Sequence, residues 1–535
     1  MRLIKAPSPK LKELQSRLSG ILYQCLKEIE DKKAYRPISF GFREDRSIAE
    51  NAARHKRHRW VLNIDLENFF PSFNFGRVRG FFLKDKAFEL HPEVATTIAQ
   101  IACDGEALPQ GSPCSPVISE LIAQILDMKL VRLAKRMKVT YTRYADDITF
   151  STSQKVFPKG IASQDDADSA IWHLSEGLLE IISRSGFSVN SAKTRMHFTG
   201  SRQIVTGLVV NEKVNIPSDY YRKARAMCDS LLQTGKYFKA VVAPVKEGDD
   251  STPVLLTGTN TLEGILSHIY AVTQKEDKRD IQEQRKTPRA IRKLYRRFLF
   301  YKYFIDLKSP LIVTEGKTDP IYLKEAVRHR EKFHPVLGEY DAEGFKHAVQ
   351  YFNYAGQVHE ILDISGGGAG NLKSILLDYR RNFRPSSKDP KRINYCPLQF
   401  PVILVVDNDD GFSQIAGPTK DIFGVAISRS DTCDFYHIIE NLYIVKTPED
   451  GANKTCIEDL FPEEWLSKEL NGKKFNKNNE IDSNTEYSKE IFANSIVKKH
   501  AKEIDFSKFD DLLERVQKVI EDYAIKATTA GAKTP

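Results

Sequence analysis

Cysteine is scarce and scattered. Seven occur in 535 residues, from Cys25 to Cys456, with no Cys-x-x-Cys pair. That excludes a disulfide framework and a structural zinc site, and predicts reduced, mostly buried thiols. Long apolar runs are also missing: no segment reaches the length needed to cross a bilayer. Residues 1–7 lack the apolar core of a signal peptide, so a cytoplasmic location with no membrane partner is expected. No internal repeat is present. What remains is ordinary for a globular chain, with 41% hydrophobic and 28% charged residues. The length is too great for one core and favours about three or four domains or subdomains. The net charge is +9, and its placement is uneven. Arg54-His55-Lys56-Arg57-His58-Arg59 is one dense basic run, and a second lies between Lys275 and Arg297. Such runs can neutralise phosphates. A lone charge run is more often a solvated helix face, but Arg292 and Arg296 alternate with Tyr295 and Phe298, a pattern suited to stacking on nucleic acid.

Hydrophobic periodicity organises the chain. Helical spacing predicts helices over residues 11–29, 117–137, 166–184 and 218–234. Trp60-Val61-Leu62-Asn63-Ile64 reads as a strand ending at Asp65. Residues 139–142 and 148–151 are rich in β-branched and aromatic side chains, which predicts a hairpin. Its tip, Tyr144-Ala145-Asp146-Asp147, carries two adjacent carboxylates. After Ser309-Pro310 the pattern becomes strand, turn, helix. Apolar runs at 311–314, 361–364 and 402–406 each lead into a Gly/Asp-rich turn, as in a buried, mostly parallel sheet with ligands at the carboxyl ends of its strands. A boundary is therefore expected near residue 308. Residues 473–486 are polar and Asn-rich, and 528–535 read as a disordered tail.

Adjacent acids repel unless a cation neutralises them, and hard oxygen donors select Mg²⁺ or Mn²⁺. Asp65, Asp146 and Asp147 on neighbouring strands would suit two such ions. One ion would activate a hydroxyl and the other would hold a triphosphate, which is nucleotidyl transfer. Asn63-Ile64-Asp65-Leu66-Glu67-Asn68-Phe69-Phe70, Leu108-Pro109-Gln110-Gly111-Ser112-Pro113 and Tyr144-Ala145-Asp146-Asp147 resemble, in order and spacing, three core motifs of reverse transcriptases. The resemblance implies that Asp65, Asp146 and Asp147 ligate the catalytic metals and that Gln110 and Gly111 contact the templating and incoming nucleotides. It implies that Phe70 excludes a ribose 2′-OH, and Gly186 to Lys193 resembles a later palm motif in which Lys193 serves the triphosphate.

Asn51-Ala52-Ala53-Arg54-His55 and Val205-Thr206-Gly207 are similar to two short signatures of retron reverse transcriptases. That family copies part of its own structured noncoding RNA into a branched RNA-DNA hybrid (msDNA), priming from a guanosine 2′-OH and consuming dNTPs. The resemblance makes Asn51, His55, Val205, Thr206 and Gly207 RNA-binding candidates, alongside Arg292 and Arg296. Residues 2–7 resemble the middle of the family's fingers, so the helix and strands that usually precede it are expected to be absent.

Farther along, Glu315 follows one predicted strand, and Asp407 and Asp409 follow another. Thr314-Glu315-Gly316-Lys317-Thr318-Asp319 with Asp407-Asn408-Asp409 resembles the Toprim domain of primases, topoisomerases and overcoming-lysogenization-type nucleases. This implies Glu315 as general acid/base or metal ligand, and Asp407 and Asp409 as Mg²⁺ ligands. Glu458-Asp459 would complete a second metal position, Lys317 would contact phosphate, and Gly366-Gly367-Gly368 would form a turn. The fold expected is an α+β right-hand polymerase followed by an α/β Toprim domain. Residues 1–215 form fingers and palm, 216–308 an RNA-binding thumb, 309–465 the Toprim domain, and 466–535 a helical extension. The function expected is a retron-type RNA-directed DNA polymerase with a Toprim nuclease effector in antiphage defence. Its partners would be its noncoding RNA and msDNA, and a DNA or RNA target, with oligomerisation on the hybrid left open. The alternatives are a primase-like replication protein and an RNA-binding scaffold with an inactive Toprim domain.

Overall fold

The computed structural model describes residues 4–31, 38–164, 171–238, 255–354, 356–364, 368–384, 393–451, 453–477 and 481–531. The chain forms two compact units: Met1–Tyr221 with Ala271–Lys278, and Arg222–Tyr270 with Arg279–Pro535. Among the described residues no helix is long and apolar enough to cross a membrane. All seven cysteines are free, but only Cys114 and Cys228 are fully buried and Cys433 is exposed, so the thiols are less enclosed than expected.

The first unit is built on a four-stranded antiparallel sheet in the order Thr140–Tyr144, Asp147–Thr152, Trp60–Glu67, Ser188–Phe198. Helix Ser115–Met137 opens with Pro116 in its first turn, where a missing N–H costs nothing, and closes on Lys138 in the left-handed region. Its buried face (Val117, Leu121, Leu126, Leu130) shares one core with Leu62, Ile64, Ile148 and Phe150 of the sheet. Helix Pro9–Asp31 places Leu22 and Leu26 in the same core. The expected helix over 166–184 is shorter: Trp172–Leu174 is a strand, and the helix runs Glu176–Ser183 behind a Ser175 cap.

In the second unit a five-stranded sheet runs Gln350–Tyr351, Leu311–Thr314, Val402–Val406, Leu442–Lys446, Tyr436–Ile439. Every pairing is parallel except the last, at the edge. The central strands Leu311–Thr314, Val402–Val406 and Leu442–Lys446 are buried at every position, which is why they read as unbroken apolar runs. Residues 361–364 do not form a strand. Helix Val358–Ile361 ends there, with Ile361, Leu362 and Ile364 buried and Asp363 at positive φ. Val358, Ile361 and Leu362 stand at i, i+3 and i+4, a helical spacing that the β-prone composition concealed.

Compactness also departs from a boundary near 308. Helix Ala290–Phe300 belongs to the second unit and buries its aromatics there. Tyr295, Phe298 and Phe300 are at most 4% exposed, and Phe300 meets Tyr379 at 5.2 Å between ring centroids. The interleaved aromatics are therefore core residues and not an exposed stacking surface. At the far end, Phe492, Leu512 and Val516 join Ile403 and Val445 in the core, so residues beyond 466 help build this unit. The last helix runs Asp510–Gly531, through the start of the expected tail, and 532–535 lie outside the described residues.

Candidate active sites

In the first unit the hairpin tip is fixed from beneath. Arg143 is fully buried and reaches Glu120 (2.7 Å) and Asp127 (2.8 Å) on helix Ser115–Met137, while its Nη1 donates to the carbonyl of Ala145 at 3.0 Å. Tyr141 donates to Asp127 and Ser39 to Glu120. Ala145 takes a φ of +54°, and a Cβ on Gly41 would stand 2.5 Å from the Ala145 nitrogen, so that approach requires glycine. Replacing Arg143 by Met leaves Asp127 buried without its cation and Glu120 with only Arg43, at 3.2 Å. The expected loss is about 3–5 kcal/mol of stability, read as a lowered denaturation midpoint.

A second chain of hydrogen bonds holds the hairpin from its side. Ser47 and Glu50 form a capping box that starts helix Ile48–Ala53. From that helix Asn51 Oδ1 accepts from Thr142 at 2.6 Å. His55 spans the hairpin, 2.7 Å from Thr142 Oγ1 and 2.6 Å from Ser151 Oγ. Both side chains are buried, and burial, then the nearby His58 and Arg54, pulls the His55 imidazole down to about 3. It is therefore neutral at physiological pH. Val205 is buried, and Thr206 and Gly207 both have positive φ, the geometry of a tight turn joining Ile204–Val205 to Leu208–Val209. Thr206 bonds back to the carbonyl of Ile48, and Asn63 on the central strand donates to that of Ile204.

On this support Asp65 and Asp147 face each other in register on adjacent strands, and the Leu66 amide donates to the carbonyl of Asp146 at 3.0 Å. Lys193, on the strand at Asp65's other side, places Nζ 3.0 Å from Asp65 Oδ1. A cavity of about 730 Å³ is lined by Asp65, Phe70, Gln110, Gly111, Asp146 and Lys193. Asp147 is exposed and outside that lining. Gly111 has a φ of +113°, and a Cβ there would stand 2.7 Å from the carbonyl of Lys5.

The second unit gathers acids at the ends of its central strands. Glu315 follows Leu311–Thr314 and accepts from the Asp407 amide at 3.3 Å. Asp319 begins helix Asp319–His329 and accepts from the Gly316 amide at 2.7 Å. Asp407 follows Val402–Val406 and accepts from the Ile457 amide. Glu458 is wholly buried, neither of its oxygens has a well-directed hydrogen bond, and Lys489 Nζ stands 2.9 Å from one of them. Asp409 accepts from the Gly411 amide, capping the next turn. Burial first, and then neighbouring carboxylates, raises these acids: Glu315 upward, Asp319 to about 7 with Glu458 as its main neighbour, and Asp407 well above the usual range. Burial alone would lower Lys489, but Glu458 and Asp319 outweigh it and hold the ammonium charged. Asp319 and Lys489 were not singled out by the sequence reading. Asp319 was legible as an acid four positions after Glu315; nothing local marks Lys489. Glu315, Lys317, Asp319, Asp407, Asp409 and Lys489 line a cavity of about 940 Å³. Gly368 also lines it, while Gly366 and Gly367 lie outside the described residues.

Among the described residues no three His, Cys, Asp or Glu side chains are already drawn together tightly enough to hold a metal. The donor sets nevertheless fit hard divalent cations. They are carboxylate oxygens, in the second unit crowded and partly or wholly buried, with Glu458 short of hydrogen bonds, and a cation would relieve their repulsion. Arg292 and Arg296 lie elsewhere in the second unit, paired to Asp363 and Asp378.

Comparison with known proteins finds similarity within the first unit. Residues 1–217 match the family model "Reverse transcriptase (RNA-dependent DNA polymerase)". Three relatives bring this closer. The chain is 36% identical over 227 residues to the retron Ec86 reverse transcriptase of Escherichia coli, covering 42% of this chain and 64% of that protein. It is 35% identical over 246 residues to the retron Mx162 enzyme of Myxococcus xanthus (42% and 49%) and 34% over 245 to retron Mx65 of the same organism (42% and 52%). The chain thus spans about half to two thirds of the length of these relatives. A telomerase from Candida albicans, solved with a fragment of telomeric RNA, is similar at 12% identity and a TM-score of 0.29, covering 60% of this chain and 58% of that one; a likeness so slight carries no argument.

Proposed function

We propose that this chain is a retron-type reverse transcriptase that copies part of a structured noncoding RNA into DNA, priming from an RNA 2′-OH to give a branched hybrid. The observation that carries the reading is the register of Asp65 opposite Asp147, with Asp146, Gln110 and Lys193 around one cavity. Asp65, Asp146 and Asp147 would hold Mg²⁺ or Mn²⁺, which supplies Lewis-acid activation of the attacking hydroxyl and neutralises the triphosphate. Lys193 is placed to hold the triphosphate once a metal competes for Asp65. Gln110 and Gly111 would face the base pair being formed.

Asn51 and His55 act in this reading by holding the hairpin, since both are buried; Thr206 and Gly207, at a turn with open space beside Gly207, are the better candidates for RNA contact. Phe70 lines the cavity against Phe42 and Phe69. Phe70→Ala is expected to raise ribonucleotide incorporation relative to deoxynucleotide by at least about tenfold, measured by competing rGTP and dGTP on one template. An unchanged ratio would remove Phe70 from the sugar gate.

For the second unit we propose a Toprim-type nuclease acting as the effector of a defence system. What supports it is the convergence of Glu315, Asp319, Asp407 and Glu458 at the ends of the three central strands, where a parallel sheet presents ligands. Glu315, Asp407 and Asp409 would hold one cation, and Asp319 with Glu458 would serve a second. Lys489, kept charged among them, would face a scissile phosphate.

A further inference from the structure

We infer that the second unit contains a site for a phosphate or polyphosphate group, as carried by a phosphorylated strand end or a nucleoside triphosphate, apart from both acid sites and independent of the function proposed for them. The site is a cavity of about 460 Å³ between helices Ala290–Phe300 and Ala369–Phe383. Six cations line it (Arg285, Arg292, Lys293, Arg296, Arg297 and Arg381) against two carboxylates, Asp363 and Asp378, an excess of four positive charges. A third carboxylate, Asp229, pairs with Arg297 from outside the lining.

The carboxylates are oversubscribed. Asp363 alone meets Arg285 at 3.1 Å, Arg292 at 3.0 Å and also Arg296. Asp378 is shared by Arg296 at 2.9 Å and Arg381 at 3.2 Å. Each guanidinium offers five N–H donors, more than two carboxylates can satisfy. Arg297 Nε is buried without a hydrogen-bond partner, and Lys293 is exposed with no ion pair among the described residues. Concentrating like charge in a concavity is unfavourable unless an anion answers it. Guanidinium forks match phosphate oxygens two at a time, and a chain of phosphates would satisfy several forks at once. The volume falls within the range of about 300–1,000 Å³ usual for small-molecule sites.

The test titrates the full-length protein in EDTA, where the acid sites have no cation to hold a triphosphate, with ATP, tripolyphosphate, and one oligonucleotide bearing either a 5′-phosphate or a 5′-hydroxyl. The variant is Lys293→Glu with Arg381→Glu, both on solvent-accessible side chains, so folding should survive; a thermal melt checks it. Saturable binding of ATP and tripolyphosphate, weakened at least about tenfold in the double variant and unchanged in Asp146→Asn/Asp147→Asn, is expected. Binding of the 5′-phosphorylated strand alone, with the same sensitivity, would support the site and assign a strand end as its source. No binding of ATP or tripolyphosphate together with equal binding of the two strands, or a double variant that binds every probe as the parent does, would overturn it.

Discussion

Replacing Asp146 and Asp147 by Asn is expected to lower template-directed dNTP incorporation by about a thousandfold or more, while leaving the melting temperature nearly unchanged. Asparagine preserves the size of both side chains at the hairpin tip. What it removes is charge, and charge is what the position is built to supply. The turn itself is held by other groups: Arg143 on the Ala145 carbonyl, the Leu66 amide on that of Asp146, and the His55 bridge between Thr142 and Ser151. Activity should therefore collapse without unfolding. Asp65→Asn should do the same and in addition release Lys193, whose ammonium stands on that carboxylate. A double variant retaining even a tenth of parental synthesis would show that template copying is carried out elsewhere in the chain, as a primase-like reading requires.

The second large effect concerns the other unit. Asp407→Asn is expected to abolish metal-dependent cleavage of nucleic acid and leave DNA synthesis intact, and to do so while raising the stability of the metal-free protein. Asp407 is half-buried beside Asp319, Glu315 and Glu458, so keeping its carboxylate charged in the metal-free site costs stability that Lys489 offsets only in part, and an amide removes that cost. The parent protein should gain stability from Mg²⁺, about 2.7 kcal/mol at a hundred times the dissociation constant, and the variant should lose most of that gain. Calorimetry with and without Mg²⁺ separates the two contributions. A variant that is less stable without metal, or equally stabilised by it, would show that Asp407 is a structural acid held by the Ile457 amide.

Strong local signals carried through to the structure. The β-branched runs around Asp146 form the hairpin, and the continuous apolar runs at 311–314 and 402–406 form buried strands, because both patterns are dictated by what each face must meet. Signals that depend on partners distant in sequence were not legible. Arg292 and Arg296 look like an exposed basic face until Asp363 and Asp378, about seventy to eighty residues on, are brought against them. Asn51 and His55 look like a polar surface motif because their partners, Thr142 and Ser151, lie about ninety residues away. Lys489 sits just past the polar, Asn-rich stretch at 473–486, and only the fold carries it to Glu458. The run at 361–364 misled for the opposite reason: its β-prone composition outweighed a helical spacing of little more than one turn.

The nucleic acid that copurifies with the protein tests the central claim most directly. The account predicts a DNA strand joined to RNA through a 2′ linkage, present with the parent protein and absent with Asp146→Asn/Asp147→Asn. Recovery of RNA without DNA from the parent, or of the same hybrid from the variant, would contradict it.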